Sequence, residues 1–252
     1  IQSISKIITL AVALEICGFD QVFKKVGMEP TGDPFNSLMK LENTDSSPYN
    51  PMINAGAIVV ASCLASEISF DTMLDTIRAL CMDPDINLDK KVYHSEMSHI
   101  SRNRAIAYLL ESKGYIEKNK DVENSLHFYV KMCSLSVTAE SLAGLGLILA
   151  NDGIHPDTGK RLLSSQAVKI VKTLMFTCGM YDGSGEFAVR VGIPSKSGVG
   201  GGILSVVDGE MGIGIFGPAL DKKGNSVAGE CVLEYMSHEL HLHMFDPQRH
   251  TL

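Results

Sequence analysis

The alternation of apolar and polar positions divides the chain into a mainly helical stretch followed by a strand-rich one. Residues 3–17 carry the apolar run IITLAVAL after Lys6 and predict a buried helix. A cation ahead of an apolar run also outlines a short signal peptide, but Glu15 interrupts the run and no small-residue cleavage site follows it. From Glu29 to Pro51 the chain is punctuated by Pro30, Gly32, Pro34, Pro48 and Pro51. This predicts a loop, and so long a loop in a compact domain usually serves function. Helices are predicted over 54–66, 69–82, 95–112, 122–132, 138–150 and 164–176. In the second of these, Met73, Leu74, Ile77, Leu80 and Cys81 recur at helical spacing and Asp71 is the expected N-cap. Asn151-Asp152-Gly153 gives the fifth a stop signal. From Glu186 to Phe216 the period changes. The segments FAVRVGIP, SGVGGGILSVV and MGIGIFG predict three adjacent strands in an antiparallel meander. A helix over Asp221–Phe245 closes the chain. Helices in the middle and strands near the end indicate an α+β fold, with a helical lobe inserted into an antiparallel sheet flanked by helices.

Composition narrows the function classes. A net charge of −7 over 252 residues argues against a nucleic-acid surface, which needs a basic footprint. No apolar run reaches transmembrane length. The six cysteines (Cys17, Cys63, Cys81, Cys133, Cys178 and Cys231) form no CxxC pair. All are read as small core residues in apolar surroundings, which points to a reducing cytoplasm. His238, His241 and His243 resemble a metal cluster, but their spacing does not bring all three to one helical face. No metal and no cofactor are expected.

Two short motifs carry candidate chemistry. Ser3 and Lys6 form an S-x-x-K pair, and spacing of three puts both on one helical face. A lysine so placed can take the serine proton if its own pKa is lowered by burial or a nearby cation. Lys196-Ser197-Gly198 opens a predicted strand and is similar to the K-T-G element that penicillin-recognising serine enzymes combine with S-x-x-K. A phosphate loop is ruled out there, because no Gly-Lys-Ser/Thr opens a helix.

A more specific resemblance follows from Asn50-Pro51-Met52-Ile53-Asn54-Ala55-Gly56-Ala57, together with Ser95-Glu96, Arg102-Asn103, Cys178-Gly179-Met180-Tyr181 and Lys196-Ser197-Gly198-Val199. In order and spacing these resemble the serine-dependent glutaminase family, its bacterial members especially, from Gln2 through the C-terminal helix. The resemblance implies a β-lactamase/transpeptidase-like fold. It implies one catalytic domain over 1–252, with a sheet lobe at roughly 160–252 and a helical lobe at roughly 18–159. It implies hydrolysis of L-glutamine to L-glutamate and ammonia through an acyl-enzyme, without a cofactor, by a cytoplasmic homo-oligomer, dimer or tetramer.

The same resemblance assigns roles. Ser3 is the nucleophile, Lys6 its general base, and Tyr181 the carrier of a proton to the leaving ammonia. The backbone N–H groups of Ser3 and Val199 form the oxyanion hole. Asn54, Glu96, Asn103 and Tyr129 hold the substrate, with Glu96 facing its α-amino group. The chemistry is coherent: an amide is a poor electrophile and ammonia a poor leaving group. Its hydrolysis therefore needs an activated nucleophile, oxyanion donors and a proton source. Two other classes share parts of the pattern. A penicillin-recognising hydrolase or transpeptidase would use the same scaffold, and a silent amino-acid-binding module would keep the pocket but not Ser3, Lys6 and Tyr181 together. The family carries a further segment before the S-x-x-K helix, with strands of the sheet and a substrate-contacting tyrosine. About 30–70 upstream residues are therefore expected, and with them an unpaired sheet edge or exposed apolar surface in 1–252 alone.

Overall fold

The computed structural model describes residues 1–31, 47–118 and 121–248. Most of the loop expected after Glu29 lies outside the described residues. The chain divides into two compact units, Ile1–Ile77 with Asp85–Ser136, and Arg78–Pro84 with Val137–Leu252. Relative to the expected lobes, α1 (Ser5–Ile16) goes with the helical unit and the helix at 139–150 with the sheet unit.

The first unit is helical. A 3-10 turn, Gln2–Ile4, leads into α1, and α2 follows at Phe19–Phe23. Then come α3 (Asn54–Ala65), α4 (Phe70–Leu80), α5 (Lys90–Ser98), α6 (Ser101–Ser112) and α7 (Val122–Cys133). Helix α3 is buried from Asn54 through Leu64, as expected for a helix that is apolar all round. It packs against α1, α6 and α7. Helix α1 is likewise buried from Ser5 to Leu14, so its apolar run is core. Strands β1 (Asn87–Leu88) and β2 (Leu135–Ser136) pair antiparallel.

The second unit contains α8 (Ala139–Ala150), α9 (Ser165–Cys178), α10 (Ser184–Arg190), β3 (Ser195–Ser197), β4 (Gly202–Val207), β5 (Met211–Phe216) and α11 (Val227–Glu239). The strands form an antiparallel sheet in the order β3-β4-β5. Side-chain alternation in β5 explains its composition. Gly212 and Gly214 face α8 so closely that an added Cβ would lie 2.1 Å from the Ala143 carbonyl oxygen and 1.9 Å from that of Ala139. On the opposite face, Met211, Ile213 and Ile215 join a core with Phe187, Val191, Ile203 and Leu233. The sheet is thus covered by α8 on one face and by α10 and α11 on the other. This mixture of helices and small antiparallel sheets is α+β.

Several elements differ from expectation. Residues 186–190 are helical, not a strand. Phe187, Val189 and Val191 imitate a period of two, but Phe187 and Val191 are both buried while Val189 is 79% exposed, which is the i, i+4 pattern of a helix. The first strand of the meander is instead Ser195–Ser197. The helix expected over 95–112 is two helices, broken at His99–Ile100, where Ile100 turns into the core. Ser69, not Asp71, caps α4, its hydroxyl accepting the Thr72 N–H at 3.1 Å. The last helix stops at Glu239, and His241 has a left-handed φ of 53°. Cys231 is exposed, against the expectation that all six cysteines are core. Among the described residues, no single helix is long and apolar enough to cross a membrane.

Candidate active site

The motif around Asn54 is built by its own first residue. Buried Asn50 accepts the N–H groups of Met52 and Ile53 on its Oδ1, at 3.0 and 3.2 Å. It thereby folds the chain into the start of α3. Gly56 then passes against this turn, where a Cβ would come within 2.0 Å of the Asn50 carbonyl oxygen. Gly56→Ala is expected to destabilise the fold by about 2–3 kcal/mol through overpacking, read as a lower midpoint in chemical denaturation. A change below about 0.5 kcal/mol, as for an ordinary surface substitution, would show that the turn yields freely.

This turn carries the partners of Lys6. The Lys6 side chain is 2% exposed, and its Nζ donates to the Met52 carbonyl oxygen at 3.0 Å and to Asn54 Oδ1 at 2.8 Å. Burial pulls its pKa down from 10.5 to about 8, against an opposing pull from the neighbouring Cys133. A lysine in this state loses its proton around pH 8, far more readily than an exposed one, as a base requires. The Asn54 Nδ2 donates in turn to Asn103 Oδ1 at 3.1 Å, so Lys6, Asn54 and Asn103 form one hydrogen-bonded chain.

Ser3 is buried in the 3-10 turn ahead of α1. Gln2, just before it, has a left-handed φ of 52°, a conformation that costs a side-chain-bearing residue roughly 1–3 kcal/mol and clusters at functional sites. The Gln2 Nε2 donates to Glu96 Oε1 at 3.1 Å, tying the turn to half-buried Glu96 on α5. Tyr129, buried on α7, interacts with the Cys133 thiol, which also accepts a long contact from the Ser5 hydroxyl at 3.8 Å. Burial pushes the Cys133 thiol up, the larger effect over the Lys6 charge that favours its ionisation. Gln2, Asn50 and Cys133 had no assigned role in the sequence, and only Asn50, within its motif, carried a signal.

Tyr181 and Val199 lie in the second unit. Tyr181 opens a 3-10 turn, Tyr181–Gly183, with φ 54°. Ser184 holds this turn, its hydroxyl accepting the Met180 N–H at 3.0 Å and donating to the Tyr181 carbonyl at 2.8 Å. Gly179 lies against β3, where a Cβ would come within 1.8 Å of the Ser195 carbonyl oxygen. Its own carbonyl accepts the Ser197 N–H at 3.2 Å. Val199 occupies the β3–β4 turn, closed by Gly198 N–H to Gly202 at 3.0 Å and Gly201 N–H to Gly198 at 2.9 Å. Among the described residues, no backbone carbonyl takes the Val199 N–H. Gly224, at φ 96°, touches both residues: its Cβ would lie 3.3 Å from Val199 Cγ1 and 3.6 Å from Tyr181 Cε2.

The sequence and the fold match known proteins. The sequence model of the glutaminase family matches residues 1–245. A glutaminase of Fusobacterium nucleatum is 54% identical over 249 residues, covering 97% of this chain and 81% of the relative. The crystal structure of a probable glutaminase of Bacillus subtilis superposes with a TM-score of 0.91 at 40% identity, covering 97% of this chain and 82% of the other. A Bacillus subtilis glutaminase in covalent complex with 5-oxo-L-norleucine, formed by reaction with 6-diazo-5-oxo-L-norleucine, superposes with a TM-score of 0.85 at 38% identity, covering 97% and 81%. By sequence and by structure, this chain belongs to the glutaminase family of enzymes.

Proposed function

We propose that the chain hydrolyses L-glutamine through a serine nucleophile, a lysine base and an acyl-enzyme, without a cofactor. The observation that carries this reading is the buried Lys6, held by Met52 and Asn54 and with its pKa lowered to about 8. The covalent complex of a Bacillus subtilis glutaminase with 5-oxo-L-norleucine supports a nucleophile in the family. Ser3 Oγ attacks the glutamine amide carbon and passes its proton to Lys6 Nζ. The oxyanion is held by the N–H groups of Ser3 and Val199. The C–N bond breaks as the Tyr181 hydroxyl gives its proton to the nitrogen, and Tyr181 recovers a proton from the Lys6 ammonium. Ammonia leaves and a γ-glutamyl ester remains on Ser3. Water then attacks this ester, losing a proton to Lys6, and glutamate departs as Ser3 Oγ is reprotonated. Each donor acts where charge develops in the transition state.

Glu96 is assigned to the substrate ammonium, and Asn54, Asn103 and Tyr129 to its remaining polar groups. Glu96→Gln should weaken glutamine binding by about 2–4 kcal/mol, the cost of losing a desolvated charge-assisted contact. Inhibition by an analogue lacking the α-amino group should change much less. Equal losses for the two compounds would give Glu96 another role.

The wider reading is a single catalytic domain of β-lactamase-like fold, acting in a reducing cytoplasm as a homo-oligomer, dimer or tetramer. Ammonia release from L-glutamine, set against hydrolysis of a chromogenic β-lactam, tests the function. Glutamine turnover with no β-lactam turnover is expected. The reverse would make the chain a penicillin-recognising hydrolase.

A further inference from the structure

Helix α5 carries Glu96, yet none of its nine residues is buried. A helix without a buried face takes its place from its ends and its polar contacts, not from packing. Its ends are fixed. Ahead of it, the Asp89 N–H donates to the Ser134 carbonyl oxygen at 2.9 Å, and Asp89 Oδ1 accepts the N–H groups of Lys91 and Val92 at 2.8 and 3.0 Å. Behind it, Ile100 is buried. Between the ends, among the described residues, two of its side chains hydrogen-bond to other elements. Glu96 accepts the Gln2 amide. Tyr93, one turn earlier, places its hydroxyl 2.5 Å from His127 Nδ1 on α7. With the His127 proton on Nε2, the phenol is the donor. Spacing of three puts Tyr93 and Glu96 on one face of α5. Helix α7 is largely buried and also carries Tyr129. Glu123, one turn before His127, is occupied by Arg104 at 2.8 and 3.0 Å. Among the described residues, Tyr93 is the one hydrogen-bond partner of the His127 side chain.

We propose that Tyr93 and His127 are positioning residues for glutamine binding: their hydrogen bond ties α5 to α7 and so sets where Glu96 meets the substrate ammonium. This rests on the assignment of Glu96 proposed above. The ammonium lies away from the reacting amide and keeps its charge throughout the reaction. A misplaced Glu96 therefore weakens substrate and transition state alike, which raises KM and leaves kcat. A tie that served only the stability of the fold would not act through Glu96, and its loss would be felt equally with or without that carboxylate.

The test measures kcat and KM on glutamine for Tyr93→Phe, His127→Leu, His127→Asn and Glu96→Gln, and for Tyr93→Phe combined with Glu96→Gln. Tyr93→Phe and His127→Leu should each raise KM about three- to tenfold, the scale of one hydrogen bond, with kcat within about twofold of the wild type. His127→Asn puts an amide oxygen where Nδ1 stood, so the phenol keeps an acceptor and KM should stay within about twofold. In the Glu96→Gln background, Tyr93→Phe should change KM by less than about twofold, because the two act along one route. An unchanged KM in Tyr93→Phe would overturn the proposal, as would a kcat that falls as far as KM rises. So would the full effect of Tyr93→Phe persisting without the Glu96 carboxylate, or a His127→Asn enzyme as impaired as Tyr93→Phe. If His127→Leu unfolds by circular dichroism, Tyr93→Phe and His127→Asn decide the matter. If Glu96→Gln itself leaves KM unchanged, the reading of Glu96 falls and this one with it. If Glu96→Gln raises KM and Tyr93→Phe does not, only the tie between the helices falls.

Discussion

Ser3→Ala should lower glutamine turnover by at least about four orders of magnitude, the loss typical of removing a nucleophile that acts as a unit with its base. Glutamine should still bind, because Glu96, Asn54, Asn103 and Tyr129, the residues proposed to hold it, are untouched. The buried 3-10 turn tolerates alanine without a void, so the melting temperature should barely move. Coupled detection of ammonia, together with calorimetric titration of glutamine, reads both quantities. Retention of more than about a tenth of the activity would remove Ser3 as the nucleophile.

Lys6→Arg should be nearly as damaging, since arginine does not give up its proton in proteins. The wild-type pH profile carries the same argument. A base must be neutral to act, and with its pKa lowered from 10.5 to about 8, the neutral fraction of Lys6 at pH 7 rises by about two to three orders of magnitude. The rate should therefore climb from neutral pH through about 8 and level off above it. A profile that is flat across this range, or a Lys6→Arg enzyme with substantial activity, would exclude Lys6 as the base. The two hydrogen bonds from Nζ to Met52 and Asn54 aim the amine but favour its charged form. They work against the burial that lowers its pKa, and burial is the larger effect.

Parts of this site were legible in the sequence because their signals are local. The S-x-x-K spacing, the apolar run of α1 and the Asn50–Ala57 motif each describe one turn or one helix. The stop at Asn151-Asp152-Gly153 and the glycine-rich strands are of the same kind. What could not be read depends on residues far apart in the chain. Gln2 meets Glu96 across 94 positions and Lys6 meets Asn54 across 48, and no local pattern encodes either contact. The same holds for Tyr93 on His127, where two helices meet. The errors in secondary structure have local causes. Phe187, Val189 and Val191 fit both periods over so short a segment, and only the exposure of Val189 decides between them. The break at His99–Ile100 contains neither glycine nor proline. It is set by the burial of Ile100, a tertiary demand invisible in the pattern.

Mass spectrometry of the enzyme after reaction with 6-diazo-5-oxo-L-norleucine tests the central claim most directly. The reading predicts one 5-oxo-L-norleucine group per chain, on the peptide containing Ser3, with protection by L-glutamate and no labelling in Ser3→Ala. A label on another residue, or persistent labelling of Ser3→Ala at the wild-type rate, would contradict it.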